Sequence, residues 1–329
     1  MKFILVTGGL GFIGSNFVNY MSQKYSNCKF IILDIYDYCS STQNIDKNDN
    51  VEVVIGDISN NELIQYLFTK FDIDTIIHFA AQTHVDNSFF NSLNFTKTNV
   101  LGTHMLLEST RLYHEKTNKI QKFIHVSTDE VYGEVLDNNP RKESSILDPT
   151  NPYASSKAAA EFFVKSYYYS YNLPVIITRS NNVYGKNQYP EKVIPKFICQ
   201  LINGKKLTIQ GNGNCIRSFI HVDDVCKAFE MIISKGIIGE TYNISCSNEI
   251  KIIDLAKLLI KLFNNDDDFS KYIEFIEDRK FNDKRYLISS EKLEELGWIC
   301  EKTDFSTNLK NLIEWYRSIE INHDFLKWI

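Results

Sequence analysis

The sequence contains no Cys-x-x-Cys pair, no apolar run of membrane-spanning length, no basic stripe and no internal repeat. Its seven cysteines, Cys28, Cys39, Cys199, Cys215, Cys226, Cys246 and Cys300, are odd in number and scattered. A disulfide framework or a zinc site is therefore not expected; reduced thiols are. The formal net charge of −5 mixes both signs along the chain, so neither nucleic acid nor an anionic membrane is an expected partner, and an acidic ligand must be held locally. No stretch approaches the roughly 20 apolar residues that cross a bilayer. The first strand starts at Lys2 with no signal or transit segment ahead of it, which points to a cytoplasmic protein. What the chain does have is apolar bulk: 43% of its 329 residues are hydrophobic and 13% aromatic, enough for one large α/β domain and a smaller appendage.

The order of apolar runs predicts an α/β fold built on a Rossmann-like doubly wound parallel sheet. A run from Lys2 to Thr7 meets Gly8-Gly9-Leu10-Gly11-Phe12-Ile13-Gly14 and then an amphipathic stretch to Tyr25. Strand, glycine turn and helix in that order let the backbone approach a pyrophosphate at a helix N-terminus, with the glycines read as Gly9-x-Gly11-x-x-Gly14 or as Gly8-x-x-Gly11-x-x-Gly14. Glycines alone also suit an ordinary strand-to-helix turn. The next strand, Phe30 to Leu33, favours the ligand because it ends in Asp34, placed to bind the adenosine ribose. No Lys or Arg lies between Asp34 and Asp46 to neutralise a 2′-phosphate, so NAD is expected over NADP. Strands at Val51 to Ile55 and Thr75 to Phe79 end in Gly56-Asp57-Ile58 and Ala80-Ala81, and helices are expected at Asn61 to Phe71 and Leu93 to His114. Ligands collect at the carboxyl ends of such strands, which places Asp57 and Ile58 at the adenine and Ala80 and Ala81 along the cofactor. Thr83 and His84, just beyond, are candidates for a sugar pocket.

The chemistry-bearing residues concentrate between Ser127 and Lys157. The strand Phe123 to Val126 runs into Ser127-Thr128-Asp129-Glu130, and Pro152 opens a helix expected to reach Tyr171. Tyr153 and Lys157 then stand at i and i+4 on one helical face. A free phenol has a pKa of about 10; a neighbouring ammonium and a positive nicotinamide ring stabilise the phenolate and make it a usable base. Adjacent acids at a strand end are ordinarily solvated. Beside this helix, Asp129 and Glu130 supply the two separate groups required when one proton leaves carbon and another is given to an oxygen.

After the strand Val175 to Arg179, residues Ser180 to Phe197 read as a loop where the sheet gives way to a second region. Arg217, Arg279 and Arg285 are the candidates for holding a diphosphate, because a guanidinium meets phosphate oxygens bidentately. A helix from Val222 to Ile233 is expected to return to the first domain, and helices at Ile252 to Phe263, Ser289 to Leu296 and Asp304 to Ile319 to build the second. The expected division is an NAD-binding domain of residues 1–185, joined again by 215–238, and a mainly substrate-binding domain of 186–329.

With those residues in view, the chain resembles the nucleotide-sugar 4,6-dehydratases of the extended short-chain dehydrogenase family, most of all the dehydratase portion of plant rhamnose synthases. The likeness runs through TGGLGFIGSNF, AAQTHVDNSF, HVSTDEVYGE, NPYASSKAAAE, NNVYGKNQYPEKVIPKFI and RKFNDKRY. The Thr-Asp-Glu triplet followed by Tyr-x-x-x-Lys is its most specific part. The resemblance implies that Tyr153 takes the C4 hydroxyl proton while NAD accepts the C4 hydride, with Thr128 on O4. It implies that Glu130 removes the C5 proton, that Asp129 protonates the departing C6 hydroxyl, and that Lys157 holds the ribose. It also implies cofactor contacts from Gly8, Gly11, Phe12, Ile13, Gly14, Asp34, Asp57, Ile58, Ala80 and Ala81. Thr83, Asn182, Glu191, Lys192, Arg217, Asn248 and Arg279 would touch a nucleotide-diphospho-sugar, and the helices near Leu93 to His114 and Pro152 to Tyr171 would form a homodimer. Gln82 and Asn87 match the plant UDP-glucose form where the bacterial dTDP-glucose form has Glu and Arg. UDP-glucose is thus the first expected substrate, on a path to UDP-rhamnose through a downstream epimerase and reductase, and dTDP-glucose is the alternative. A nucleotide-sugar 4-epimerase shares Tyr153 and Lys157 but has no need of the two acids, and a non-catalytic NAD-binding regulator needs none of the set.

Overall fold

Apolar runs rich in Ile, Val and Phe assemble, in the computed structural model, into one seven-stranded parallel sheet; the structure describes residues 1–319. Residues 320–329 of the expected second domain lie outside the described residues. The first half reads β1 (Phe3–Thr7), α1 (Phe12–Lys24), β2 (Lys29–Asp34), β3 (Val51–Ile55), α2 (Asn61–Phe71), β4 (Thr75–His78), α3 (Val85–Phe90), α4 (Ser92–Phe95), α5 (Thr103–Thr117), β5 (Lys122–Thr128), α6 (Pro152–Tyr171) and β6 (Val175–Ser180). The second half reads β7 (Asn182–Tyr184), α7 (Val193–Ile202), β8 (Leu207–Gln210), β9 (Ile216–His221), α8 (Val222–Lys235), β10 (Thr241–Ile244), β11 (Glu249–Lys251), α9 (Ile252–Asn264), β12 (Ile273–Ile276), α10 (Glu291–Glu294) and α11 (Phe305–Ser318).

Across the sheet the order is β10-β6-β5-β4-β1-β2-β3. The chain winds outward from β1 in one direction and then returns to continue from β4 in the other, so the strand ends at β1 and β4 flank the crevice where such sheets take ligands. Strands buried on both faces need cover on both. Phe17, Val18 and Met21 of α1 and Val225, Phe229 and Ile232 of α8 pack one face, and Ile64 and Leu67 of α2, Leu106 of α5 and Val164 of α6 pack the other. A separate core under the second region is built from α7, α9 and α11, with Phe197, Leu259 and Leu312 buried in it.

Several stretches differ from expectation. The stretch expected as a loop contains β7, which pairs with β9, and the start of α7, whose first turn accommodates Pro195 because amides there lack intrahelical partners. The helix expected from Leu93 to His114 is interrupted by a π-helical turn at Thr96–Gly102. That turn carries the buried Asn99, which accepts from the Gln82 amide at 2.8 Å and donates to the Gln82 carbonyl and the Ser156 hydroxyl, both at 2.9 Å. The helix expected over Ser289 to Leu296 shrinks to α10, stopped by Gly297 at φ +99°. The expected return to the sheet is made by α8, and also by β10, which pairs with β6 beyond the expected limit of residue 238.

Candidate active site

A cavity of about 740 Å³ opens along the carboxyl ends of the sheet strands, between the sheet and the second region. At its cofactor end, Gly8 sits at φ +69°, and a Cβ there would lie 2.6 Å from the Ala80 amide nitrogen. A Cβ on Gly14 would lie 2.3 Å from the Gly8 carbonyl oxygen. Gly11 caps α1, and Gly8, Gly11 and Gly14 line the cavity whereas Gly9 packs on Ile32, so the Gly8-x-x-Gly11-x-x-Gly14 spacing is the one the fold uses. Asp34 accepts from the Leu10 amide at 3.0 Å, the Tyr36 amide at 2.9 Å and the Ser40 hydroxyl at 2.9 Å, and so ties the glycine turn to the end of β2. Asp57 accepts from the Ser59 amide at 2.8 Å. Both carboxylates face the cavity, as do Phe12, Ile13, Ile58, Ala80 and Ala81. A cradle bared of side chains at a helix N-terminus, with an acid and no cation at the second strand end, fits a dinucleotide without a 2′-phosphate.

The middle of the cavity gathers the acid-base groups. Thr128 ends β5, and residues Asp129–Tyr132 form one 3-10 turn in which the Thr128 hydroxyl accepts from the Glu130 amide at 3.3 Å. This turn separates the neighbouring acids. Glu130 lines the cavity, where its Oε2 accepts from Asn151 Nδ2 at 3.1 Å and lies 3.5 Å from the Tyr286 hydroxyl. Asp129 does not face the cavity as expected: it is 2% exposed and turned behind the wall, accepting from Asn181 Nδ2 at 2.9 Å and from the Thr128 hydroxyl at 3.3 Å. Burial raises its pKa to about 7, with the negative Glu130 adding to the rise and Asn181 and Arg217 opposing it.

Tyr153 and Lys157 share a face of α6 and both line the cavity. Burial raises the Tyr153 pKa, the Glu130 carboxylate raises it further, and the group that lowers it is the Thr128 hydroxyl. Lys157 is itself lowered, to about 8, because it is buried. α6 is held by a buried pair at its far side: Glu161 accepts from Arg179 Nε at 3.0 Å and Nη2 at 2.5 Å, while Arg179 Nη1 donates to the Tyr132 hydroxyl at 2.6 Å. Beneath Lys157, the buried His78 bridges the hydroxyls of Thr7 and Thr103 at 2.7 and 2.9 Å, and burial keeps His78 and His125 neutral.

At the other end, Thr83, His84, Asn182, Glu191 and Lys192 line the cavity, as do Arg217 and Arg279. Lys192 donates to the Thr83 carbonyl at 2.6 Å, and Glu191 accepts from the Tyr38 hydroxyl at 2.5 Å. His84 caps α3, and burial lowers its pKa. Arg217 lies over the Tyr286 ring at 4.8 Å and donates to Asn282 at 3.0 Å; Arg279 pairs with Asp86 at 3.1 Å. Two expected contacts are placed elsewhere. Asn248 lies outside the cavity lining, its amide directed to the Phe219 carbonyl and the Cys246 sulfur. Arg285 is also outside, paired bidentately with Glu249 at 2.7 and 2.6 Å. Nothing in the sequence marks Asn151, Asn181, Asn99 and Tyr286, since an asparagine or tyrosine carries no motif until its partner is known. Among the described residues the cysteines are free, no acid, His and Cys cluster could hold a metal, and no helix is long and apolar enough to cross a membrane.

Three comparisons bear on this site. The model of the GDP-mannose 4,6 dehydratase family matches residues 5–312. A trifunctional UDP-glucose 4,6-dehydratase/UDP-4-keto-6-deoxy-D-glucose 3,5-epimerase/UDP-4-keto-L-rhamnose-reductase of Arabidopsis thaliana is 48% identical over 320 residues, covering 96% of this chain and 47% of the relative. The chain thus spans about half the length of that plant relative. The dTDP-D-glucose 4,6-dehydratase of Homo sapiens is 46% identical over 322 residues, covering 96% of this chain and 90% of the relative. The crystal structure of a dTDP-glucose 4,6-dehydratase from Streptomyces venezuelae with NAD and TYD bound superposes with a TM-score of 0.90 at 36% identity, over 96% of this chain and 97% of that one.

Proposed function

This chain belongs to the GDP-mannose 4,6 dehydratase family, and from that premise we propose that it is an NAD-dependent hydro-lyase that removes water from a nucleotide-diphospho-glucose, UDP-glucose first, to leave the 4-keto-6-deoxy sugar. The observation that carries the reading is the division of two neighbouring acids: Glu130 faces the cavity, and Asp129 is buried behind it against Asn181, where burial raises its pKa to about 7. The glycine turn and Asp34 would hold NAD, which would supply a hydride acceptor for C4 and a hydride donor for C6. Tyr153 takes the C4 hydroxyl proton, and Thr128, between the phenol and Asp129, holds O4. The 4-ketone acidifies C5, Glu130 removes that proton, and Asp129, behind the wall, gives its own to the departing C6 hydroxyl by way of the Thr128 hydroxyl, which bonds to Asp129 and lines the cavity. Lys157 holds the ribose. Arg217 and Arg279 take the diphosphate, exchanging their present protein partners for phosphate oxygens.

UDP-glucose is put first on Gln82 and Asn87, which share one wall beside Asp37 and match the plant form. The human relative, nearly as similar, supports dTDP-glucose as the second reading. We further propose a homodimer through α4, α5 and α6, where Leu93, Phe162 and Tyr169 stand 79%, 62% and 77% exposed. A 4-keto-6-deoxy product calls for a following epimerase and reductase. The test is incubation of the purified protein with each nucleotide sugar separately and in competition, followed by product mass: a product one water lighter supports the reading, and a C4 epimer of unchanged mass refutes it.

A further inference from the structure

We propose that Asn151 is the positioning residue that aims Glu130 at C5 of the sugar, and that it does so from the cap of the helix carrying Tyr153 and Lys157; the assignment rests on the dehydratase reading above. Asn151 is 4% exposed and both ends of its amide are engaged. Its Oδ1 accepts from the Ala154 amide at 2.9 Å as the N-cap of α6, and its Nδ2 donates to Glu130 Oε2 at 3.1 Å. The two partners fix the orientation of the amide: flipped, its oxygen would face a carboxylate and its NH₂ a backbone N–H. The Tyr286 hydroxyl approaches the same Oε2 at 3.5 Å and is held by Asp283 at 2.5 Å, which in turn accepts from Thr150 at 2.9 and 2.7 Å. Among the described residues no donor addresses Oε1, so Oε1 is the oxygen that takes the proton.

In that step the C5–H bond breaks and its proton goes to Glu130 Oε1. The electron pair forms the C5–C6 double bond, the C6–O bond breaks, and the leaving hydroxide takes a proton from the Thr128 hydroxyl, which Asp129 replaces with its own, and departs as water. One side chain thereby sets the base relative to the phenol and the ammonium of α6, although the sequence places base and helix in separate segments. Displacing a reacting group by about 1 Å costs roughly a hundredfold in rate.

The test compares wild type with Asn151→Ser, which keeps a good helix cap and removes the donor to Glu130, and with Asn151→Asp, which keeps the cap and turns the donor into an acceptor. Three readouts are taken with NAD and UDP-glucose or dTDP-glucose: the thermal midpoint, the appearance of reduced nicotinamide, and deuterium entry at C5 from D₂O. Asn151→Ser is expected to melt as wild type does and to reduce nicotinamide within about twofold of it, while C5 exchange and water loss slow roughly 10- to 100-fold, so that reduced nicotinamide accumulates. Asn151→Asp is expected to lose at least as much of the elimination, and it decides the matter should the serine variant fold poorly. C5 exchange at the wild-type rate in a folded variant overturns the assignment, as does an equal slowing of reduction and elimination. A wild-type protein that leaves both sugars unchanged overturns the dehydratase reading, and this assignment with it.

Discussion

Tyr153 and Lys157 lie one turn apart on a single helix and inherit their geometry from it, whereas Asp129 and Glu130 are adjacent in the chain and end in opposite environments. The helix pair is set by local periodicity. The acid pair is set by what each meets on leaving β5: Asn181 from the β6–β7 connection for one, Asn151 and Tyr286 for the other. Residue type supplies the two carboxylates, and distant partners divide their roles.

The largest effect is expected at the helix pair. Tyr153→Phe should slow the first hydride transfer by about 10²- to 10⁴-fold, the range that general-base catalysis contributes, read as reduced nicotinamide on mixing with substrate. At the acid pair, Glu130→Gln should lose a similar factor in water release yet still reduce NAD, so the two variants separate by which step fails. If both stop at the same step, the division of labour is wrong.

Asp129 offers a pH test. Its folded pKa of about 7 stands above the unfolded carboxylate value of about 3.9, so the folded protein keeps a proton that the unfolded chain releases. Asp129's own contribution to stability should therefore fall as pH rises from about 4 to about 7 and level off above it, by at most about 4 kcal/mol at 1.36 kcal/mol per unit, against the opposite contribution of the buried neutral His78 and His125 over the same window. Water release should decline through the same upper limit as the acid loses its proton. Asp129→Asn should remove that contribution, so that the stability of the variant relative to wild type rises with pH across the window, and should slow elimination; denaturant midpoints across pH check the first and product formation the second.

How much of this could be read from the chain follows the same contrast. The parallel sheet, α6 to its last residue and the glycine cradle were legible because strands, helices and turns write their period and their glycines locally. The choice of Gly8 over Gly9 was not, because it depends on Ala80 passing close by. The π turn was hidden since its reason, Asn99 bonding to Gln82, is tertiary. The phenol's raised pKa likewise reflects burial and the Glu130 carboxylate, which no Tyr-x-x-x-Lys spacing encodes.

The smallest effect is expected where the arginines divide. Arg279→Ala should raise KM roughly ten- to a hundredfold, the value of a lost charged hydrogen bond. Arg285→Ala, which breaks a surface pair with Glu249 away from the cavity, should leave KM unchanged and cost less than about 1 kcal/mol of stability. Kinetics of the two variants side by side would show whether the cavity, which takes in Arg279 and leaves Arg285 out, rightly chooses among the arginines that residue type alone offered.

The central claim is that one enclosed nicotinamide moves hydrogen from C4 to C6 of the same sugar while the paired acids expel water. Substrate carrying deuterium at C4 tests it directly. The account predicts a 4-keto product, one water lighter, with the deuterium at C6; deuterium retained at C4, or lost to solvent, or a product as heavy as the substrate would contradict it.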